Sequence, residues 1–538
     1  MMMTKSDGLN RKYRTATLAA LWKVAIAAAP GAVLAVAAAE VPDERREGLT
    51  TAALAAHTRP DAVPLVDHTA GKAGVQQSVQ QGAADGETRV QLAQFQLPQG
   101  PQPGERIGRP PRPVTEFLKY QYSVGSESDI TYRRDRDLNK RVRDNSLILA
   151  PQVNGYILYR PTDRVEMLLE MLLEKEIAAQ EQRIVPLPNG QIQIAPRRHP
   201  SLPVDQAWVT FKQLGPLDLT VGRRNFEDDR HWLYDTSLDT ALVKLRQGPF
   251  QAEASVSRKD RLDLDLTAPV KKTRTDNYML YLDYRGIEDI RLAGYTILRE
   301  DHTGKEGRPL HTGLRAYGMP SDQFNFWTEL GLLRGKDEVK KNFKGHAIDI
   351  GGTYRFPGLP FAPNLTLGYA YGSGDGNPND NRNREFRQTG LQSNEARVGG
   401  VPKFKYYGEA LDPELSNLQI FTAGLGFRPA PSVSVDLVYH HYRLNKIADE
   451  IRNSALTAVM NQDDTQLSRK VGNGLDVVLG FRNLFGVRRL GLDLRAGWFF
   501  PKGAYRIEEK FIDPATGEER SVFRKANKGI SVVAKFWF

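Results

Sequence analysis

The side chains of this chain that could carry out chemistry are few and scattered. His231 follows Asp228 and Asp229, which could form a histidine–carboxylate dyad, although a charged turn is the simpler interpretation. His440 and His441 are adjacent in an alternating segment, so their rings should point to opposite sides and cannot chelate one ion. The sequence contains no metalloprotease, nucleophile-elbow, phosphate-loop or EF-hand pattern. We therefore expect no enzyme activity, no cofactor and no metal site.

Charged residues instead recur on one side of short alternating segments. In 490–498, Leu492 and Leu494 fall on one face, and Asp493 and Arg495 fall on the other. A β-strand has a period of two residues, so this pattern predicts a strand with one apolar and one polar face. Strands of transmembrane barrels alternate in this way between lipid and a water-filled lumen. The same alternation occurs in 217–221, 278–284, 365–371, 433–439 and 475–481.

The segment 165–176 fits two kinds of element. Glu166, Glu170 and Glu174 are spaced by four and would share one face of an amphipathic helix. As a strand, the segment would turn Met167 and its alternate neighbours to lipid and the three glutamates to the lumen. We expect the strand, because the neighbouring segments are strands.

The N-terminal region is expected to be processed and unstructured. Residues 1–39 combine a basic start with an apolar stretch and small residues, which predicts a signal peptide cleaved close to Ala37 or Ala39. A membrane anchor is the alternative, but Lys23 leaves a short apolar run. Residues 40–113 are rich in Ala, Gln, Gly and Pro, which predicts a disordered leader or a partner-binding tail.

Residues 114–538 are expected to form one transmembrane antiparallel β-barrel, an all-β fold. Division of this length into spanning strands of about 10 residues and their connections gives roughly 16 to 20 strands. The last segment alternates and ends on Phe538, similar to the sorting signal of outer-membrane barrels. The chain has a net charge of +10, which suits nucleic acid, anionic lipid or an acidic ligand. It has no cysteine, so no disulfide framework exists and the redox compartment stays open.

Five segments resemble the alginate export family. They are 221–229 (VGRRNFEDD), 386–394 (FRQTGLQSN), 407–419 (YGEALDPELSNLQ), 437–440 (LVYH) and 495–505 (RAGWFFPKGAY). These segments lie in order along the chain and are specific only when taken together. The resemblance implies an outer-membrane barrel of about 18 strands, with an electropositive gated pore that passes polyuronate.

The resemblance also implies which side chains line the pore. The basic positions are Lys119, Arg223 or Arg224, Arg397, Lys403, Lys405 and Arg495, and the acidic Asp493 would moderate their binding. The planar guanidinium group of an arginine can donate two parallel hydrogen bonds to a carboxylate. Ala150 and Gln251 stand where the family's exporter has arginines, and residues 40–113 have no counterpart, which leaves the identity of the polymer open.

These observations predict a channel that exports an anionic exopolysaccharide, with a porin for small acidic solutes as the alternative. The long glycine-rich segment 373–405 is expected to act as a gate, because loops of this length are usually functional or disordered. The alternative is an exposed extracellular loop that has no effect on flow. We expect a monomeric barrel in contact with outer-membrane lipids, an anionic polysaccharide and a periplasmic scaffold lipoprotein. We expect no nucleic-acid partner.

Overall fold

A computed structural model describes residues 115–117, 120–141, 144–180, 184–186, 192–194, 200–259, 266, 274–514 and 516–538. The predicted signal peptide and leader, residues 1–113, lie outside the described residues, and so does Lys119. Within the described part, no helix has the length and apolar character needed to cross a membrane.

Eighteen long strands form the main sheet. They are β1 (Tyr120–Arg134), β2 (Ser146–Thr162), β3 (Val165–Glu174), β4 (Val204–Leu214), β5 (Leu217–Glu227), β6 (Asp235–Gln247), β7 (Phe250–Arg258), β8 (Thr275–Ile287), β9 (Ile290–Asp301), β10 (Arg308–Ser321), β11 (Phe324–Lys336), β12 (His346–Arg355), β13 (Asn364–Gly372), β14 (Leu418–Ala430), β15 (Val433–Leu444), β16 (Lys470–Arg482), β17 (Gly491–Pro501) and β18 (Gly529–Trp537). The shorter strands are Thr115–Phe117, Ile177–Gln180, Ile184–Pro186, Ile192–Ile194, Asn342–Phe343, Arg382–Asn383, Glu395–Ala396, Phe404–Lys405, Arg506–Ile512 and Glu519–Lys525, and Leu484–Gly486 is a 3₁₀ turn.

The sheet closes on itself as an antiparallel barrel. Each long strand pairs with the next, and the last strand, β18, pairs with β1 so that Phe536 lies opposite Ser128. Closure leaves both sides of every barrel strand paired, which removes exposed strand edges. The predicted antiparallel barrel and its C-terminal strand are confirmed.

The two faces of each strand differ as the alternation predicts. On β17, Asp493 and Arg495 are buried, whereas Leu492 and Leu494 on the opposite face are partly exposed. The ambiguous segment forms the strand β3, in which Glu166 and other buried residues alternate with exposed apolar side chains. The apolar outward face is suited to lipid, and the polar face is suited to a hydrated lumen.

The connections divide into two kinds, one at each end of the barrel. The turn end carries the short connections 163–164, 215–216, 248–249, 288–289, 322–323, 356–363, 431–432 and 483–490. The loop end carries the other connections, including the long segments 373–417, 445–469 and 502–528. Short turns face the periplasm in bacterial barrels, so the loop end is extracellular.

Candidate functional site

The segment 373–417, which we call the inserted loop, folds into the barrel. Its ends are adjacent, because Tyr371 on β13 pairs with Gln419 on β14. Its middle reaches the turn end, where the Val401 N–H donates to Ser434 Oγ at 2.9 Å. Ser434 is the second residue of β15 and is fully buried on the lumen face. The inserted loop, which includes the predicted gate 373–405, therefore runs along most of the lumen.

A buried arginine fastens the inserted loop to the barrel wall. Arg230 Nη2 lies 3.1 Å from Asp349 Oδ2 on β12. Its guanidinium carbon lies 4.1 Å from the centre of the Trp327 ring and 4.2 Å from that of Tyr406 in the loop. The Tyr407 hydroxyl donates to the same Asp349 at 2.9 Å. The ion pair and the aromatic faces compensate for the burial of this charge.

His231 holds the inserted loop from the turn between β5 and β6. Its Nδ1 lies 2.8 Å from Ser393 Oγ in the loop, and its Nε2 lies 2.8 Å from Glu227 Oε1. The Asp235 N–H donates to the Leu391 carbonyl at 2.7 Å. Burial disfavours the charged ring, but hydrogen bonds to Asp235 and Glu227 raise the pKa of His231 to about 9. The ring is therefore a positively charged imidazolium at neutral pH, and it holds the inserted loop through its hydrogen bond to Ser393.

Asp228, a candidate partner of His231 in a dyad, instead pairs with an arginine. Asp228 Oδ2 accepts a hydrogen bond from Arg315 at 2.6 Å, and Arg315 also pairs with Glu329 at 2.6 Å. These three side chains are buried between the wall strands and the turn. No group of three or more potential metal ligands occurs among the residues that the structure places. The histidine and its neighbours therefore position the loop.

We expect stability to fall as the pH rises through about 9. The folded-state pKa of His231 lies above the ordinary value of 6.5, so its contribution is complete below pH 6.5 and is lost as the ring deprotonates near pH 9. The difference between these two pKa values corresponds to a contribution of at most about 3 kcal/mol to the free energy of unfolding. Melting temperatures measured from pH 6 to 10 should fall more steeply for the wild type than for His231→Gln. Equal slopes in the two proteins would contradict the assignment.

A cavity of about 480 Å³ remains between the inserted loop and the strands β1–β6 and β16–β18. Its basic lining residues are Arg223, Lys403, Arg482, Arg495 and Lys535. Its acidic lining residues are Glu127, Glu174, Asp205, Glu227, Asp235, Glu395 and Asp493. Within the described part of the chain, seven acidic and five basic side chains line the cavity, so this lining lacks the excess of positive charge that the resemblance implies.

Every basic side chain of this cavity already has a carboxylate partner. The nearest nitrogen–oxygen distances are 2.6 Å for Arg482–Asp493, 2.8 Å for Lys403–Glu227, 2.8 Å for Lys535–Glu127, 3.2 Å for Arg495–Glu409 and 3.3 Å for Arg223–Asp239. A ligand carboxylate that binds here must exchange with a carboxylate of the protein, because a buried charge that loses its partner is strongly destabilised.

The structure brings some of the predicted pore residues into this cavity and leaves others outside it. Arg223, Lys403, Asp493 and Arg495 line the cavity. Lys405 instead bonds within the inserted loop, and its Nζ donates to the Ser393 carbonyl at 2.7 Å. Sequence reasoning missed Arg482 and Lys535 as lining residues, although both follow the alternation of their strands.

Arg223 and Arg224 both lie inside the barrel, although strict alternation would separate them. Gly222, the residue before Arg223, has a φ of 124°, and a Cβ at this position would lie 2.2 Å from the Ala207 carbonyl oxygen. This backbone irregularity lets Arg223 reach the cavity, while the Arg224 guanidinium packs 5.8 Å from the centre of the buried Trp208 ring. Of the two alternatives, Arg223 is therefore the cavity residue.

A second basic group lies at the turn end, and we call it the turn-end arginine cluster. It consists of Arg355, Arg397, Arg428 and Arg482, in which Arg428 has each of the other three as a charged neighbour. The Arg428 guanidinium donates to the Gly399 carbonyl of the inserted loop at 3.0 Å. Asp436 faces Arg428, and Asp493 pairs with Arg482. Four guanidinium groups therefore lie close together at the periplasmic end of the inserted loop.

A closed barrel of 18 strands, with a charged lumen narrowed by an inserted loop, is an outer-membrane channel. The sequence pattern of the alginate export family matches residues 116–515. The chain belongs to the alginate export family, and it is a transport channel of the bacterial outer membrane and not an enzyme.

Individual relatives are distant. Alginate production protein AlgE of Azotobacter vinelandii is 25% identical over 190 residues, which cover 31% of this chain and 38% of that protein. The match thus spans well under half of that relative's length. Two Pseudomonas aeruginosa proteins, OccK1 (OpdK) and OccK11 (OpdR), align with 78% of this chain at 13% identity, with TM-scores of 0.49 and 0.47. The alignments cover 98% and 96% of those chains.

Proposed function

We propose that this channel exports an anionic exopolysaccharide, an alginate-like polyuronate, and that the inserted loop gates its passage. The observation that carries the proposal is the turn-end arginine cluster, which lies where a polymer would enter from the periplasm. A uronate chain carries about one negative charge per sugar, and guanidinium groups match carboxylates in geometry. Membership of the alginate export family supports transport in the outward direction, from the periplasm to the outside of the cell.

The cavity would supply the next binding positions along the path. Arg223, Arg495 and Lys535 line it, and each is paired with a carboxylate of the protein. Such pairing weakens the binding of any single sugar, which suits a polymer that must advance through several moderate sites. A cavity of about 480 Å³ is too short for an extended polymer to cross the membrane, so export requires the loop to move.

A porin for small acidic solutes is the second candidate. The size of the cavity favours it, because a small solute could occupy this space without displacement of the loop. A porin should conduct strongly at rest. An exporter should have a small resting conductance, because its loop leaves the lumen only when a polymer takes its place, and the polymer itself then obstructs the ion current.

The proposed partners include a periplasmic scaffold lipoprotein, with the barrel acting as a monomer. Phe361 and Phe485, in the two longest turns, are exposed beyond the strands at the turn end. Apolar groups in this position suit contact with a partner protein. One chain closes the barrel without an open edge, so a monomer is sufficient for a channel.

We expect defined oligo-uronates to block wild-type current, and the substitution Arg223→Gln to raise the half-blocking concentration about tenfold. The loss of one charge-assisted contact is typically about 1.5 kcal/mol, which gives a factor of this size. Planar bilayer recordings would measure the block, and the reversal potential in a salt gradient should show anion preference. Arg308→Gln is the matched control, because this exposed arginine lies at the loop end and outside the cavity. Cation preference and insensitivity to oligo-uronates in the wild type would contradict the proposed function.

A further inference from the structure

Arg495 on β17 is held by two carboxylates that both belong to the inserted loop. Its Nη1 lies 3.2 Å from Glu409 Oε1 and 3.4 Å from Glu395 Oε1. The Arg495 side chain is 6% exposed, and its Nε has no hydrogen-bond partner among the residues that the structure describes. Arg495 also lines the cavity through which a polymer would pass. The loop therefore presents to this arginine the same functional group that each uronate sugar carries.

Both loop carboxylates are held in place by the loop itself. Glu395 pairs in register with Lys405, so the segments Glu395–Ala396 and Phe404–Lys405 form a small hairpin, and 395–405 is here called the tip hairpin. Glu409 Oε1 accepts a hydrogen bond from the Lys405 N–H at 2.9 Å. Burial opposes ionisation of Glu395, but the cations Arg495, Lys405 and Lys535 lower its pKa to about 2. Glu395, one of the two groups that face Arg495, is thus a carboxylate at any physiological pH.

We propose that Glu395 and Glu409 are built-in competitors of the polymer, and that incoming uronate carboxylates release the tip hairpin by replacing them on Arg495. The inference rests on the proposed function and assigns the regulation of the same site. Arg495 remains paired throughout such an exchange, and Glu395 keeps Lys405, whose Nζ lies 3.8 Å from Glu395 Oε1, as a neighbouring cation, which limits the cost of separating buried charges. A neutral polysaccharide offers no replacement carboxylate and should leave the tip hairpin in place. The gate would thus open for the charge that it transports.

Other contacts also hold the tip hairpin, and they would have to break together when it is released. Lys403 pairs with Glu227 at 2.8 Å, and the Val401 carbonyl accepts a hydrogen bond from Arg482 at 2.9 Å. These two wall partners, Glu227 and Arg482, line the cavity, where water can replace the loop. The Gly399 carbonyl and the Val401 N–H are bound at the turn end by Arg428 and Ser434, so release also breaks these two hydrogen bonds. The preceding segment of the inserted loop, which ends at Ser393, would stay bound to His231 and keep its position while the tip hairpin moves.

The first test is the double variant Glu395→Gln/Glu409→Gln, which keeps shape and removes both competing charges. We expect its resting conductance to rise several-fold and its half-blocking concentration of a hexameric oligo-uronate to fall about tenfold. Glu385→Gln is the matched control, because this loop carboxylate bonds Ser416 at 2.7 Å and lies outside the cavity lining. Conversely, Arg495→Gln should also raise conductance but should weaken the uronate block.

The second test leaves every charge in place. The chain has no cysteine, so Ala396→Cys introduces a single thiol in the tip hairpin at a position only 2% exposed. A hexameric oligo-uronate should accelerate its labelling by a maleimide several-fold, and a neutral maltohexaose should not. This measurement decides the matter even if the double variant fails to fold.

The outcomes separate the inference from the proposed function. Wild-type channels that are blocked by oligo-uronates, with unchanged conductance in the folded double variant and uronate-independent labelling, would overturn the inference and leave the proposed function standing. Wild-type channels that are not blocked would overturn the proposed function and the inference with it.

Discussion

Replacement of residues 374–416 by a four-residue turn is expected to raise the single-channel conductance several-fold. The deletion removes the part of the chain that runs through the lumen, from the ends of β13 and β14 to the contact of Val401 with Ser434. A barrel of this size encloses an aqueous channel once its lumen is cleared. Because Tyr371 and Gln419 are already paired, a short turn can join the two strands without strain.

The barrel should still assemble in this variant, because all 18 strands and their pairing remain. Lumen groups such as Asp349 and Arg495 lose their loop partners but gain water, which limits the cost. Deletion of only 375–392 would be a weaker test, because it leaves the tip hairpin in the cavity.

The matched control removes the hairpin formed by Arg506–Ile512 and Glu519–Lys525. This hairpin lies in a long loop at the same end of the barrel, and its residues are mostly exposed. Its deletion should leave the conductance unchanged. Bilayer recordings on barrels shown to be folded by heat-modifiable gel migration would compare the two variants. If removal of the inserted loop left the conductance at the wild-type value, this loop would not be the gate.

The substitution Val221→Arg is expected to destabilise the barrel by about 2–4 kcal/mol if the residue lies near the bilayer midplane. Val221 lies in the middle of β5 on the outward face and is 48% exposed. An arginine there would have to enter hydrocarbon, where its charge has neither water nor a partner. Urea unfolding from lipid vesicles, followed by tryptophan fluorescence, would give the free energy of unfolding.

The same substitution at Asn225, four residues later on β5, is the control. Asn225 lines the cavity, so an arginine there would meet water and acidic side chains. We expect a change in the free energy of unfolding within about 1 kcal/mol, as for an exposed ion-pairing position. Equal destabilisation at both positions would show that the lumen and lipid faces have been assigned incorrectly.

The sequence alone was sufficient to predict the strands and their two faces. Alternation is a local property of period two, so Leu492 and Asp493 reveal their opposite faces without knowledge of any distant residue. The same reasoning gave the strand at 165–174 and the outward and inward sets of the last strand. The approximate strand number followed from length, because a bilayer fixes how long each strand must be.

The site depended on contacts that no local pattern encodes. Two ion pairs illustrate this. Arg230 is far from Asp349 in the chain, and Arg495 is far from Glu409, and each pair meets only because the barrel closes around the inserted loop. The basic residues near 400 looked like one group in the sequence. In the structure, Lys403 enters the cavity while Lys405 bonds within the loop.

The charge of the lumen shows the same division between local and tertiary information. The arginine positions could be inferred from alternation and family resemblance, but not the carboxylates that neutralise them. Those carboxylates come from other strands and from the inserted loop, and a buried charge takes whichever partner the fold brings within reach. The sequence by itself therefore determined a charged channel in a barrel. Only the tertiary structure decided that its basic groups are paired and that its own loop occupies the path.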